Sequence, residues 1–90
     1  MLISLKITHD TPQLEVYDIK DRCIGIFSGD LEVNFNEAMI WIGMWKIQTG
    51  DTSEIMIDPL IIAIDKIIPK YKWDGKKIVL GKSKANESKT

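Results

Sequence analysis

The sequence has few of the residues from which small proteins build reactive centres. Its 90 residues include one cysteine, Cys23, and one histidine, His9. A single cysteine excludes an internal disulfide framework and is typical of a reducing compartment, where we expect Cys23 to be a small buried apolar residue. One cysteine and one histidine cannot supply the ligands of a zinc finger, and no calcium-loop pattern is present. The sequence therefore predicts neither a metal site nor a cofactor.

Long hydrophobic runs are also absent. The longest apolar run, residues 38–45, is far shorter than the roughly 20 residues that a membrane-spanning helix needs. Lys6 and Asp10 stand too early for the apolar region of a signal peptide. We therefore expect a cytoplasmic protein that does not contact a membrane. At 44% apolar and 28% charged residues, the composition is that of a folded globular protein.

Catalytic motifs are missing as well. No nucleophile-elbow sequence accompanies His9, and no pair of carboxylates is set apart by its spacing. The stretch "GKS" at residues 81–83 matches the end of a phosphate-binding loop, but Lys76 stands where that motif needs a glycine. The sequence predicts that the protein is not an enzyme.

Charge is unevenly distributed along the chain. The net charge is −1, yet residues 1–65 carry eleven acids and four bases, and residues 66–90 carry two acids and eight lysines. The chain thus has an acidic body and a basic C-terminal end, a pattern typical of proteins with charged partners.

The first third of the chain has the pattern of β-strands. Residues 2–9 alternate between apolar and polar side chains, which predicts a half-buried strand that ends before Pro12. The stretches "LEVYDI" and "CIGIF" predict an antiparallel hairpin, and "LEV" at residues 31–33 predicts the start of a fourth strand.

The pattern changes to that of a helix over residues 35–48. Asn34 is the predicted cap, Glu37 completes a capping box, and Gly50 provides the C-terminal stop. Three isoleucines and Gly43 leave a buried strand as the alternative for residues 38–47.

This helix would be apolar on two opposite sides. One broad face includes Phe35, Ile42 and Trp45, and a second stripe on the other side consists of Ile40, Met44 and Ile47. A domain of this size has little material to cover both sides, so we expect the second stripe to contact another protein, either a second copy or a target. The replacement of Met44 by aspartate would distinguish an exposed stripe from a buried one.

The remainder predicts one more helix and a hairpin. Asp58 caps a helix over residues 59–68 that begins with Pro59, and residues 70–80 form a hairpin on an Asp74-Gly75 turn. The predicted fold is α+β, with an antiparallel sheet of five or six strands and two helices packed on one face. We expect a single domain over residues 1–81 and a polar tail over residues 82–90. The predicted core comprises Ile3, Leu5, Ile7, Val16, Ile26, Phe35, Ile42, Trp45, Leu60, Ile64, Ile67 and Val79.

Acidic residues beside the predicted helix suggest what kind of partner would bind. Asp30, Glu32 and Glu37 stand close in sequence to the second stripe, and acids around an apolar centre suit a basic protein. The chain is short, has a single cysteine and an acidic strand-rich body, and contains the stretch "FSGDLEVNFNEAMIWIGMW". In these features it resembles the small bacterial immunity proteins of contact-dependent growth inhibition systems. The resemblance implies a non-catalytic protein that binds a cognate toxin domain, often a nuclease, and blocks it.

Two alternatives to an immunity function remain open. Phage-encoded inhibitors of host defence proteins share the same general features. A small nucleic-acid-binding module would instead use the basic C-terminal hairpin, through Lys70, Lys72 and Lys77. The hairpin alternation puts these lysines on the face opposite Tyr71 and Trp73, and the net charge is negative, so nucleic acid is the less favoured partner.

Overall fold

Three strands from the first third of the chain form most of the main sheet. The computed structural model describes residues 1–8 and 11–81. Strands β1 (Leu2–Thr8), β2 (Thr11–Tyr17) and β3 (Cys23–Ser28) are antiparallel neighbours with β2 in the middle. Strand β1 ends at Thr8, before Pro12 as predicted, but Pro12 itself lies inside β2, where it pairs with Ile7. Proline is tolerated there because it stands at the beginning of the strand.

Helix α1 (Leu31–Thr49) follows β3 after a short turn and is longer than predicted. Residues 31–33 form its first turn and not a strand, and its cap is Asp30, whose carboxylate accepts a hydrogen bond from the Glu32 N–H at 2.9 Å. The earlier cap is favoured because Asp30 directly follows Gly29, whose φ of 120° lets the chain turn into the helix. Residues 38–47 are therefore helical, and the helix ends at Gly50 in the left-handed conformation as predicted.

The main sheet is mixed, which corrects the prediction of an antiparallel sheet. Strand β4 (Met56–Ile57) pairs with β1 in parallel, and the strand order is β3-β2-β1-β4. The cause is α1, whose 19 residues span about 28 Å and carry the chain back across the sheet. Strand β4 therefore runs in the same direction as β3, as in a β-α-β crossover.

Two short helices replace the single helix predicted over residues 59–68. Helix α2 (Pro59–Ile62) and helix α3 (Ile64–Ile67) meet at Ala63, whose φ of −101° interrupts the helical geometry. The predicted cap at Asp58 and the first position of Pro59 are confirmed. The Asp58 carboxylate also accepts from the Leu5 N–H at 3.1 Å, which ties the start of α2 to the sheet.

The C-terminal hairpin forms a separate two-stranded sheet. Strands β5 (Tyr71–Trp73) and β6 (Ile78–Leu80) are antiparallel, with Trp73 opposite Ile78. Four residues connect them, not the two predicted, because the Asp74 carboxylate accepts hydrogen bonds from the Lys76 and Lys77 N–H groups and so stabilises a wider turn.

The core lies between one face of the main sheet and the three helices. Half of the predicted core residues are buried: Ile3, Leu5, Val16, Phe35, Ile42 and Ile64. Trp45 and Val79 are half-buried, and four predictions were wrong because the side chains are exposed: Ile7, Ile26, Leu60 and Ile67.

Two of these errors have a clear geometric cause. In β3 the residues that face α1 are Gly25 and Phe27, which turns Ile26 to the other side of the sheet. In α2 the buried residue is Ile61, one position after the predicted Leu60. Cys23 was also expected to be buried, and it is exposed because it begins an edge strand.

Candidate protein-binding surface

The exposed side of α1 carries a stripe of four apolar residues that one acidic residue interrupts. We define the outer stripe as Val33, Glu37, Ile40, Met44 and Ile47, which are spaced alternately by four and three residues and so lie along one line of the helix. Its four apolar side chains are between 52% and 84% exposed. Contiguous apolar surface of this kind is uncommon on soluble proteins and usually marks a contact with another molecule.

The opposite side of α1 explains why the outer stripe is left uncovered. Leu31, Phe35, Ala38 and Ile42 are buried against the sheet and the C-terminal hairpin. The sheet and the hairpin therefore lie on the same side of the helix, and nothing in the described residues covers the outer stripe. Sequence analysis predicted Ile40, Met44 and Ile47 here but missed Val33, which it had assigned to a strand.

The acidic residues predicted to flank the stripe occupy different positions. Glu37 is exposed within the outer stripe itself. Asp30 is exposed at the start of α1, where one carboxylate oxygen serves as the helix cap, and Glu32 is half-buried in the first turn. The only basic residue of the helix, Lys46, points elsewhere, because its ammonium group donates to the Ser53 carbonyl. The exposed face of α1 is thus apolar and acidic.

The basic hairpin differs from α1 in where its apolar side chains lie. Lys70, Lys72 and Lys77 are exposed, whereas Tyr71 is buried. The Tyr71 hydroxyl accepts a hydrogen bond from the Leu31 N–H at 3.2 Å. The Trp73 ring packs edge-to-face on Phe35, with 5.5 Å between ring centroids. Tyr71 is therefore not available to stack on nucleic-acid bases, and one side of the half-buried Trp73 ring is already covered by Phe35.

The face of the main sheet opposite the helices carries a polar network that sequence analysis did not find. The Glu15 carboxylate, 6% exposed, accepts from the Tyr17 hydroxyl at 2.6 Å and from the Gln13 amide at 3.0 Å. Lys6 lies 3.8 Å away from the same carboxylate. The sequence did contain a signal for this network. Gln13, Glu15 and Tyr17 are spaced two residues apart in β2, which puts their three side chains on one face of the strand.

The ionisation of this network does not suit acid–base catalysis. The hydrogen bond from Tyr17 lowers the pKa of Glu15, and the same bond raises the pKa of Tyr17 to about 12. Glu15 is consequently ionised and Tyr17 protonated around neutral pH, whereas a general acid or base works best when its pKa is near the working pH.

A cleft of about 450 Å³ lies between the β2–β3 turn and the end of α1, beside Trp45. The carboxylates of its two acidic residues, Asp18 and Asp51, already accept hydrogen bonds from neighbouring residues. The Asp18 carboxylate accepts from the Lys20 and Arg22 N–H groups and from the Arg22 guanidinium, and the Arg22 N–H is the main cause of its lowered pKa. Asp51 accepts from the Ser53 hydroxyl at 2.6 Å. The cleft therefore offers a ligand few unsatisfied polar groups.

Neither a metal-binding cluster nor a membrane-spanning helix occurs among the described residues. No group of three or more His, Cys, Asp or Glu side chains within residues 1–8 and 11–81 is placed to hold a metal ion. No helix in the described part of the chain is long and apolar enough to cross a membrane. His9, the "GKS" stretch beyond residue 81 and the predicted tail lie outside the described residues.

Comparison with known proteins does not assign this chain to a family: no protein-family model, no curated protein and no solved structure matches it.

Proposed function

We propose that this protein is a non-catalytic inhibitor that binds another protein through the outer stripe of α1, and that it is an immunity protein which neutralises a cognate toxin domain. One observation carries the proposal: the outer stripe of the longest helix has four exposed apolar side chains, and its one charged side chain, Glu37, is acidic. The resemblance to immunity proteins of contact-dependent growth inhibition systems supplies the biological role.

The apolar side chains would provide most of the binding free energy. Full burial of a side chain such as isoleucine contributes about 1.5–3 kcal/mol relative to exposure in water. Ile40 and Ile47 are 67% and 84% exposed, so most of that contribution is still available to a partner. Met44 between them can adapt its shape to the surface it meets.

The acidic residues would select the partner. Glu37 lies inside the stripe, and Asp30 is exposed at the beginning of the same helix. A toxin that acts on nucleic acid presents basic residues to bind phosphates, and such a surface is attracted by carboxylates over several ångströms. We expect the toxin domain to present a groove or helix that is both basic and apolar, and a nuclease would present such a surface because it binds phosphates.

The same surface would serve an inhibitor of a host defence protein, and the two roles differ only in the identity of the target. The nucleic-acid-binding alternative is less well supported, because Tyr71 is buried and the half-buried Trp73 packs on Phe35, so the lysines of the hairpin have no exposed aromatic ring beside them.

The proposal predicts that a large secreted toxin is encoded immediately upstream of the gene for this protein, and the experiment uses that toxin. Its C-terminal domain is expressed in bacteria with and without this protein, and survival is measured by colony counts. Binding of the two purified proteins is measured by calorimetry. We expect protection and a complex whose dissociation constant rises at least a hundredfold in Ile40→Asp, because a carboxylate would be buried at the centre of the contact.

The matched control is Ile62→Asp. Ile62 is 53% exposed in α2, away from the outer stripe, so the same substitution should leave binding and protection unchanged. Glu37→Lys should slow association, and this effect should shrink at high salt. Absence of a complex, or equal losses in Ile40→Asp and Ile62→Asp with both variants folded, would refute the proposal.

A further inference from the structure

We propose that the outer stripe receives one helix of the partner, which packs along α1 and places a large apolar side chain over Gly43 and a lysine or arginine over Glu37. This inference rests on the function proposed above. It decides between the two shapes, groove and helix, that the toxin domain could present.

The spacing of the outer stripe is that of a coiled-coil seam. Its residues follow one another at alternating intervals of four and three, so the pattern repeats every seven residues. The stripe is also narrow, since the exposed polar side chains of Asn36 and Gln48 border it on its two sides. A narrow seam with this repeat matches a single partner helix, whereas a groove needs a broader apolar face.

Two holes for partner side chains lie along this seam. Residues i, i+3, i+4 and i+7 of a helix surround a hole that a side chain of a facing helix can enter. The polar hole lies between Val33, Asn36, Glu37 and Ile40. The apolar hole lies between Ile40, Gly43, Met44 and Ile47. All of these residues are exposed, and the two holes are about 10.5 Å apart along the helix axis.

Gly43 makes the apolar hole deep, although the fold of this chain does not require a glycine there. The glycines with positive φ are Gly29, Gly50 and Gly75, so Gly43 has no unusual backbone conformation to explain it. A Cβ atom at Gly43 would meet nothing within 4 Å among the described residues outside its own stretch of helix. Glycine is also unfavourable in a helix interior. The missing side chain therefore leaves room for a group that approaches α1 from outside.

Glu37 favours a helix of another protein over a second copy of α1. A second copy would bring only its own outer stripe to the seam, and that stripe contains no basic residue. The one base of the helix, Lys46, donates to the Ser53 carbonyl. Covering the Glu37 carboxylate without a cation would be costly. A lysine or arginine in the polar hole would instead pair with it, so the occupant is a helix that is basic at this position.

The first test fills the apolar hole. Gly43→Leu should stay folded and melt at a slightly higher temperature, because leucine favours a helix more than glycine does and has free space here. Its dissociation constant for the toxin domain, measured by calorimetry, should nevertheless rise about tenfold or more, because leucine occupies the space of the partner's side chain. The matched control is Gln48→Leu, which adds the same side chain at an exposed position outside both holes and should leave the affinity unchanged.

The second test concerns the charge that faces Glu37. Glu37→Gln keeps the size of the side chain and removes its charge. If a lysine or arginine occupies the polar hole, this variant should bind about tenfold more weakly, because a charge-assisted hydrogen bond is lost. If an apolar residue lies there, the variant should bind more tightly, because an amide costs less to bury than a carboxylate. Tighter binding would overturn the proposal.

The third test determines the shape of the element that the partner contributes. A photoreactive leucine analogue is placed at Val33 or at Ile47, crosslinked to the toxin domain, and its attachment site is located by mass spectrometry. The two positions lie about 21 Å apart along α1. Both crosslinks should map to one toxin helix, at sites about 14 residues apart. Crosslinks to two separate elements would show a groove and would refute the helix.

The Ile40→Asp variant separates this inference from the function on which it rests. If Ile40→Asp abolishes the complex but Gly43→Leu binds as tightly as the unmodified protein, the outer stripe is the contact surface and no partner helix fills its apolar hole. Only the inference is then refuted. If the two proteins form no complex at all, the proposed function is refuted and the partner helix with it.

Discussion

Helix α1 and the β5–β6 hairpin pack against each other, yet they orient their apolar side chains in opposite ways. The hairpin turns Tyr71 and Trp73 inward and leaves its lysines in solvent, which is the arrangement of an ordinary solvated surface. The helix buries Phe35 but leaves the outer stripe exposed. The two regions therefore differ in what they leave exposed to a partner, which is lysines on the hairpin and apolar side chains on α1. Clustered apolar side chains that stay exposed are a better indicator of a binding surface than exposed charged side chains are.

The largest expected effect comes from the side chain that joins the two regions. Phe35 is 2% exposed, lies on the inner face of α1 and contacts Trp73 of the hairpin. Phe35→Ala should lower the free energy of unfolding by about 3–5 kcal/mol, because it removes an aromatic ring and leaves a cavity. Urea denaturation followed by tryptophan fluorescence measures the change.

The matched comparison is Val33→Ala on the outer side of the same helix, which is 52% exposed and should change stability by less than about 1 kcal/mol. A similar loss in both variants would mean that the two faces are not distinct.

A smaller effect is expected from the hydrogen bond that joins the hairpin to the start of α1. The Tyr71 hydroxyl accepts from the Leu31 N–H, one of the groups at a helix start that has no partner inside the helix. Tyr71→Phe keeps the ring and leaves that buried N–H unpaired, so stability should fall by about 1–2 kcal/mol.

Tyr17→Phe is a suitable contrast, because its hydroxyl bonds to the side chain of Glu15 and not to the backbone of α1. Hydrogen exchange at the Leu31 amide should accelerate in Tyr71→Phe and remain unchanged in Tyr17→Phe. Unchanged exchange in both would show that the bond does not stabilise the helix start.

Sequence patterns predicted the α+β class and the existence of the long helix, but not the topology of the sheet. The helical spacing of residues 35–48 and the stop at Gly50 are local signals, and local signals suffice for an element of this length. The parallel pairing of β4 with β1 depends on where α1 delivers the chain, which no local pattern encodes. The start of α1 was misplaced because Asn34 and Asp30 are both good caps, and the turn at Gly29 and the hydrogen bond from the Leu31 N–H to the Tyr71 hydroxyl favour the earlier one.

Part of the candidate surface was predictable for a physical reason. The second stripe of Ile40, Met44 and Ile47 was expected to lack cover because a short chain cannot surround a helix, and these side chains are exposed. Whether they bind a partner stays a prediction. The buried Asn34 was not predictable: its side-chain amide has no hydrogen-bond partner among the described residues, and sequence analysis had placed it at the exposed cap.

The smallest expected effects are in the lysines of the hairpin, and they sharpen the comparison with α1 most directly. Lys70 lies over the Tyr71 ring, 5.4 Å from its centroid, and such an exposed cation–π contact contributes about 0.5–1 kcal/mol. Lys70→Gln should lower stability by that amount, whereas Lys72→Gln should change it by less than about 0.5 kcal/mol. Thermal unfolding of the two variants measures the difference.

The same lysines also test what the hairpin does in solution. If it is a solvated surface, the combined Lys70→Gln, Lys72→Gln, Lys77→Gln variant should bind the toxin partner as the unmodified protein does, and neither form should bind a single-stranded oligonucleotide at 150 mM salt. A nucleic-acid-binding hairpin would instead show oligonucleotide affinity that falls steeply with salt, with a slope reduced by the loss of up to three phosphate contacts in the variant. That result would reverse the assignment of the two regions, because the basic surface would then be the functional one and the apolar face of α1 would need a separate explanation.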